Sequence, residues 1–199
     1  MTPKTLGRIA GILGLTAILA GCIDVTAEVE VLSETEGRGV STITMSSDFY
    51  PMLKSMGAQG SDPDDGFCDE AGAVLTETED GGATCTIEAS GKLADVNKEG
   101  PNENAAFTVV SPGVVRVAFK TEGMAGQVTE GQDAESAAMV MPYFEGHDVT
   151  IVVKGKAITD TNMTLSEDKT SAKYVIPFTD LLQGTAKLPD ELYAVVDTN

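Results

Sequence analysis

The run Val25-Thr26-Ala27-Glu28-Val29-Glu30-Val31 decides the fold class. Valine and alanine alternate here with threonine and glutamate, and since successive strand side chains point to opposite faces, this period of two marks a half-buried β-strand. Working outward, a polar turn at residues 33–39 leads to a second strand with Ile43 and Met45 on one face, which predicts a hairpin. Ser47 and Asp48 are good N-caps for a short helix in which Phe49, Met52, Leu53 and Met56 follow i, i+3, i+4, i+7 spacing. Pro51 is confined to its first turn, where a missing N–H costs nothing, and Gly57 ends it.

Residues 59–82 are rich in Gly, Asp and Glu and read as a long acidic loop. In the strand that follows, Ala83, Cys85, Ile87 and Ala89 share one face. Beyond the polar loop 97–104, residues 105–110 and 114–120 flank Ser111-Pro112-Gly113 as a second hairpin. A glycine-spaced linker at 123–131 precedes a predicted second helix over 133–141, with Ala134, Ala137, Ala138 and Met141 on one face. Val149, Ile151 and Val153 alternate in one strand and Ala172, Tyr174 and Ile176 in its return, around a turn at 166–170; residues 192–196 add a final edge strand. Together these predict an α+β domain, a mostly antiparallel sheet with two short helices packed on one face.

The N-terminus carries a different signal. Lys4 and Arg8 precede an uncharged, mostly apolar run of 13 residues, 9–21. A helix needs about 20 residues to cross a hydrocarbon core, so this run has the shape of a secretory signal peptide. It ends in Leu19-Ala20-Gly21-Cys22, which resembles the lipobox of bacterial lipoproteins. The resemblance implies a signal peptide at 1–21, cleavage between Gly21 and Cys22, and a diacylglycerol on the Cys22 thiol with acylation of the new amino terminus by a fatty acid such as palmitate. Residues 22–199 then form a single exported domain, attached to the cell envelope through its lipid. The competing reading, a buried structural Cys22 behind a core helix, leaves the basic region and the small residues at 20 and 21 unexplained. Ile23 follows the cysteine where enterobacterial lipoproteins retained at the inner membrane carry an acidic residue, so an outer-membrane position facing the periplasm is expected if the host has two membranes.

Charge narrows the partners. The chain has 13 Lys and Arg against 31 Asp and Glu, a net charge of −18, which argues against nucleic acid as a partner, since a phosphate backbone requires clustered cations. Loss of Lys4 and Arg8 leaves 11 basic side chains and a net charge of −20. An anionic body is repelled by anionic lipid within a Debye length of about 8–10 Å, so attachment falls to the acyl chains at about 0.8 kcal/mol per buried CH₂.

In an oxidising compartment, Cys68 and Cys85 are expected to form a disulfide across 17 positions; without a C-x-x-C pattern, redox catalysis is not indicated. His147 is the only histidine, and it reads as a polar residue opening a strand rather than as a general base. No G-x-S-x-G occurs, H-E-x-x-H is impossible, and one His with two bridged Cys cannot build a zinc site, so no catalytic or metal residues are assigned. The carboxylates Asp62, Asp64, Asp65 and Asp69 suggest calcium by composition. With Gly66 at the sixth position of an EF-hand loop, however, Ser61, Pro63 and Gly72 fall on ligand slots, so no cofactor is expected there.

Methionine is conspicuous around the helices: Met45, Met52 and Met56 at the first, Met139 and Met141 at the second. Thioethers adapt to irregular apolar shapes, so Met45, Phe49, Met52, Leu53, Met56 and Met141 are candidates for a ligand groove between helices and sheet, against the plain alternative of core filling.

A lipobox cysteine followed by an alternating hairpin, with a late His147-Asp148-Val149-Thr150-Ile151-Val152-Val153-Lys154-Gly155 segment, Asn162 and a Ser166-Glu167-Asp168-Lys169 turn before residues 174–178, resembles the LppM-type lipoprotein domain. That resemblance implies a β-rich envelope domain without catalytic residues and suggests lipid binding. This chain departs from it by lacking Trp, by the segment between Cys68 and Cys85, and by lacking a C-terminal transmembrane helix. The expected function is therefore a membrane-anchored, non-catalytic lipoprotein binding a lipid or other apolar ligand. An anchored partner-binding or structural envelope protein is the alternative, and an enzyme of unknown type the third reading.

Overall fold

In the computed structural model, which describes residues 23–57, 68–69, 71–93, 105–122, 124 and 141–199, the alternating run lies in β1 (Ile23–Val31). It pairs antiparallel with β2 (Glu36–Met45), Ile23 opposite Met45 and Val31 opposite Gly37. Helix α1 (Tyr50–Gly57) follows, then β3 (Val74–Glu77), β4 (Ala83–Lys92), β5 (Ala105–Ser111) and β6 (Val114–Lys120). The C-terminal part holds β7 (Asp148–Lys154), β8 (Ala157–Thr161), β9 (Thr164–Leu165), β10 (Ser171–Pro177), α2 (Phe178–Leu182) and β11 (Glu191–Asp197).

The strands form two sheets, ordered β3-β4-β2-β1-β7-β10-β9 and β5-β6-β11-β8. Among the described residues every pairing is antiparallel except that of β1 with β7, where Val25 lies opposite Val149 and Val29 opposite Val153. One core joins the two sheets: Val29 and Val31, Ile151 and Val153, Ala172 and Ile176 from the first meet Val115, Val117 and Phe119 with Leu192, Ala194 and Val196 from the second. A smaller core of Met45, Tyr50 and Ala83, flanked by Ile23, Phe49, Leu53 and Leu75, lies under α1.

Strands predominate and the helices are minor, so the α+β expectation holds only broadly. The element covering the first sheet is a second sheet, not a pair of helices. The cause is in β6 and β11, whose alternate residues make a full apolar sheet face, and a face of that kind is satisfied by packing against another sheet. The expected edge strand at 192–196 is likewise an inner one, since β11 pairs with both β6 and β8. The expected turn at 33–39 is shorter, because Gly37 and Gly39 already belong to β2. A Cβ on Gly37 would stand 2.4 Å from Leu93 Cδ2 and 2.9 Å from the Glu30 carbonyl oxygen, so the glycine serves a close approach and not a turn. Within the expected loop 59–82, residues 74–77 form β3 against β4. Residues 59–67 and 70 of that loop, and residues 133–140 of the predicted second helix, lie outside the described residues. Helix α2 was not foreseen; its Phe178, Leu181 and Leu182 are buried at i, i+3, i+4 spacing.

Candidate functional site

An apolar hollow opens where the β1–β2 turn, the end of β4 and the β5–β6 hairpin converge. It has a volume of about 610 Å³ and is lined by Glu34, Thr35, Glu36, Lys92, Leu93, Phe107, Thr108, Val109 and Val115. Alternation creates its floor: Phe107, Val109 and Val115 share the inward face of the hairpin, with Val109 opposite Val115 in register. Val115 is fully buried and Leu93 nearly so, while Val109 is 51% exposed and forms the open wall.

Local hydrogen bonds hold this mouth in shape. The Ser33 hydroxyl accepts the N–H groups of Thr35 at 3.2 Å and Glu36 at 3.0 Å, the turn a short polar side chain favours. The Leu93 N–H donates to the Thr35 carbonyl at 2.9 Å, fastening β4 to the turn. The Gly113 N–H donates to the Glu34 carboxylate and so links the turns of the two hairpins. Carboxylates of Glu34 and Glu36 and the ammonium of Lys92 sit around an apolar floor. That floor offers apolar contact, and the charged side chains of Glu34, Glu36 and Lys92 at the rim can orient the polar end of a ligand.

Of the residues assigned to a groove from sequence, the described ones do not line this hollow. Met45, Phe49 and Leu53 come together in the small core under α1, where Met45 is buried; Met52 is 44% exposed. The Met56 side chain lies outside the described residues. Met141 opens a 3₁₀ turn (Met141–Tyr143), and its sulfur accepts from Gln183 Nε2 at 3.6 Å. Beside α1 is a smaller hollow of about 390 Å³, lined by Tyr50, Pro51, Lys54, Glu77, Thr78, Gly81 and Gly82. There Lys54 Nζ, at 2.7 Å, and the Tyr50 hydroxyl, at 3.1 Å, both donate to Glu77 Oε1. The Lys54 hydrogen bond, then that of Tyr50, hold the Glu77 carboxyl below the ordinary carboxylate range.

Cys68 and Cys85 are bonded, their Cα atoms 5.6 Å apart. Gly21, Cys22, Asp62, Asp64 and Asp65 lie outside the described residues, while Asp69 is within them. Among the described residues no group of three or more His, Cys, Asp or Glu is placed to hold a metal ion, and no helix is long and apolar enough to cross a membrane. His147 Nδ1 lies 2.9 Å from Asp24 Oδ2, and Asp24 Oδ1 accepts the Asp148 N–H at 3.0 Å. Asp24 therefore clamps the start of β7 to the start of β1, a role hidden in the sequence because it depends on the parallel pairing.

Leu93, Phe107, Val109 and Val115 were not singled out from sequence. The available signal was Val109-Val110, adjacent apolar residues that break the alternation of β5; both are exposed, at 51% and 52%.

No protein-family model and no curated protein matches the chain. Among solved structures, its backbone is similar to the folded domain of the LppM protein of Mycobacterium tuberculosis, determined by NMR. The identity is 11% and the TM-score 0.46, over 88% of this chain and 90% of that one.

Proposed function

We propose that this chain is an exported, lipid-anchored envelope protein, attached through Cys22, whose domain binds an apolar or amphipathic ligand without transforming it. The observation that carries the ligand reading is the groove between the β1–β2 turn and β5. Its volume of about 610 Å³ falls within the range of about 300–1,000 Å³ common to ligand sites. Leu93, Phe107, Val109 and Val115 supply contact for an apolar body, and Glu34, Glu36 and Lys92 face the polar part. The membrane is a partner through the anchor, and outer-membrane placement follows from Ile23 where the host has two membranes. Binding requires no cofactor and no metal.

A fluorescent fatty-acid analogue tests the groove. Val109 forms its exposed wall, so a carboxylate there stays hydrated and the fold persists. Burying a valine is worth about 1.5–3 kcal/mol, so Val109→Glu is expected to weaken binding roughly tenfold or more while the far-UV spectrum is unchanged. A folded variant that takes up the probe like the parent protein overturns the groove. The exposed Val109 and Val110 on edge strand β5 favour a second reading, an anchored protein that docks a partner on this edge. Unchanged lipid uptake would move the assignment there.

A further inference from the structure

We propose that the domain stands on its own anchoring membrane with the α1 end down and the ligand groove facing away from it. The inference rests on the Cys22 anchor proposed above and adds its geometry. Strand β1 starts at Ile23, the residue bonded to Cys22. Ile23 already pairs with Met45 of β2, and from Val25 onward β1 also pairs with β7 on its other side. Consecutive Cα atoms are about 3.8 Å apart, so no slack separates the acylated residue from an inner strand of the larger sheet.

The strand then fixes a direction. Nine residues rising about 3.3 Å each carry Val31 about 26 Å from Ile23, and the turn that borders the groove comes next. At the near end, Ile23 packs against the cluster that includes Phe49 and Leu53, and α1 presents Met52, 44% exposed. The occupant of that end is a lipid surface, because that is where the chain preceding Ile23 ends. At this end lie the carboxylates of Asp24, at the start of β1, and Asp48, just after β2, with the Lys54–Glu77 ion pair, on a chain of net charge −18, so the surface that fits is zwitterionic or neutral. The groove rim stands well beyond the Debye length of about 8–10 Å from the headgroups.

The test uses the full acylated protein in phosphatidylcholine vesicles containing a headgroup nitroxide lipid. Single Met52→Cys and Thr108→Cys variants, both at exposed positions, carry a bimane label. With Cys68 and Cys85 bonded and Cys22 acylated, the introduced thiol is the one that reacts. Quenching is expected at position 52 and none at position 108. A flexible Gly/Ser insert of about ten residues between Cys22 and Ile23, spanning roughly 17 Å, should abolish quenching at 52 while the protein still floats with the vesicles. Equal quenching at both positions, or more at 108, overturns the orientation while leaving the anchor intact. A protein that neither floats nor incorporates labelled fatty acid overturns the anchor reading and the orientation with it.

Discussion

Replacing Cys68 with Ser isolates the contribution of the cross-link to the stability of the fold. Cys85 is 1% exposed on the inward face of β4, whereas Cys68 is half-buried upstream of β3, so the substitution leaves the packed thiol in place and removes only the bond. Closing a loop of 17 residues lowers the entropy of the unfolded chain enough to stabilise the native state by about 3 kcal/mol on the chain-entropy model. For a domain of this size, each kcal/mol moves the melting temperature by about 2–4 °C, giving an expected fall of roughly 6–12 °C. Calorimetry of Cys68→Ser beside the parent chain, each with and without dithiothreitol, separates the terms. The parent should fall to the level of the variant on reduction, and the variant should not respond. Equal melting temperatures for parent and variant in oxidising buffer would refute the loop-closure reasoning.

Two further changes probe other parts of the fold. A Cβ on Gly155 would stand 2.2 Å from Val196 Cγ1 where the two sheets approach, so Gly155→Ala should destabilise by about 1–3 kcal/mol in urea unfolding, with an unchanged midpoint counting against close sheet packing there. The Glu77 carboxyl lies below its ordinary value of 4.5 in the folded chain, so its contribution is present above that pH and is lost as pH falls through the depressed folded value. Tyr50 ring resonances should therefore shift in that acid range, below about pH 4.5, and Glu77→Gln should remove the shift; a persisting titration would assign it to another group.

Local pattern made much of the strand content legible. The alternations of β1, β4, β7 and β10 each correspond to strands with one inward face, because a period of two is written in neighbouring residues. Pairing between distant strands was not legible. Nothing near Asp24 indicates that its carboxylate meets the N–H of Asp148, 124 positions away. The arrangement in two sheets was hidden for the same reason, since an apolar strand face does not announce whether a helix or another strand will cover it. At the candidate site, helical spacing collected Phe49, Met52 and Leu53, but spacing does not distinguish a groove wall from a core. Phe49 and Leu53 pack inward while Met52 is exposed. The groove itself draws on β4, β5, β6 and a turn, so its residues converge only once both sheets exist.

The parallel contact of β1 with β7 also governs the order of assembly. Parallel neighbours cannot be joined by a tight hairpin, and β1 acquires its second partner only when residues 148–154 are available. A chain emerging from its N-terminus can zip β1, β2 and β4 together locally, but it must close a long loop before the central strand is paired on both sides. High contact order of this kind slows folding. The middle strand of the larger sheet is therefore completed only after most of the polypeptide has been made, whichever neighbour it meets first.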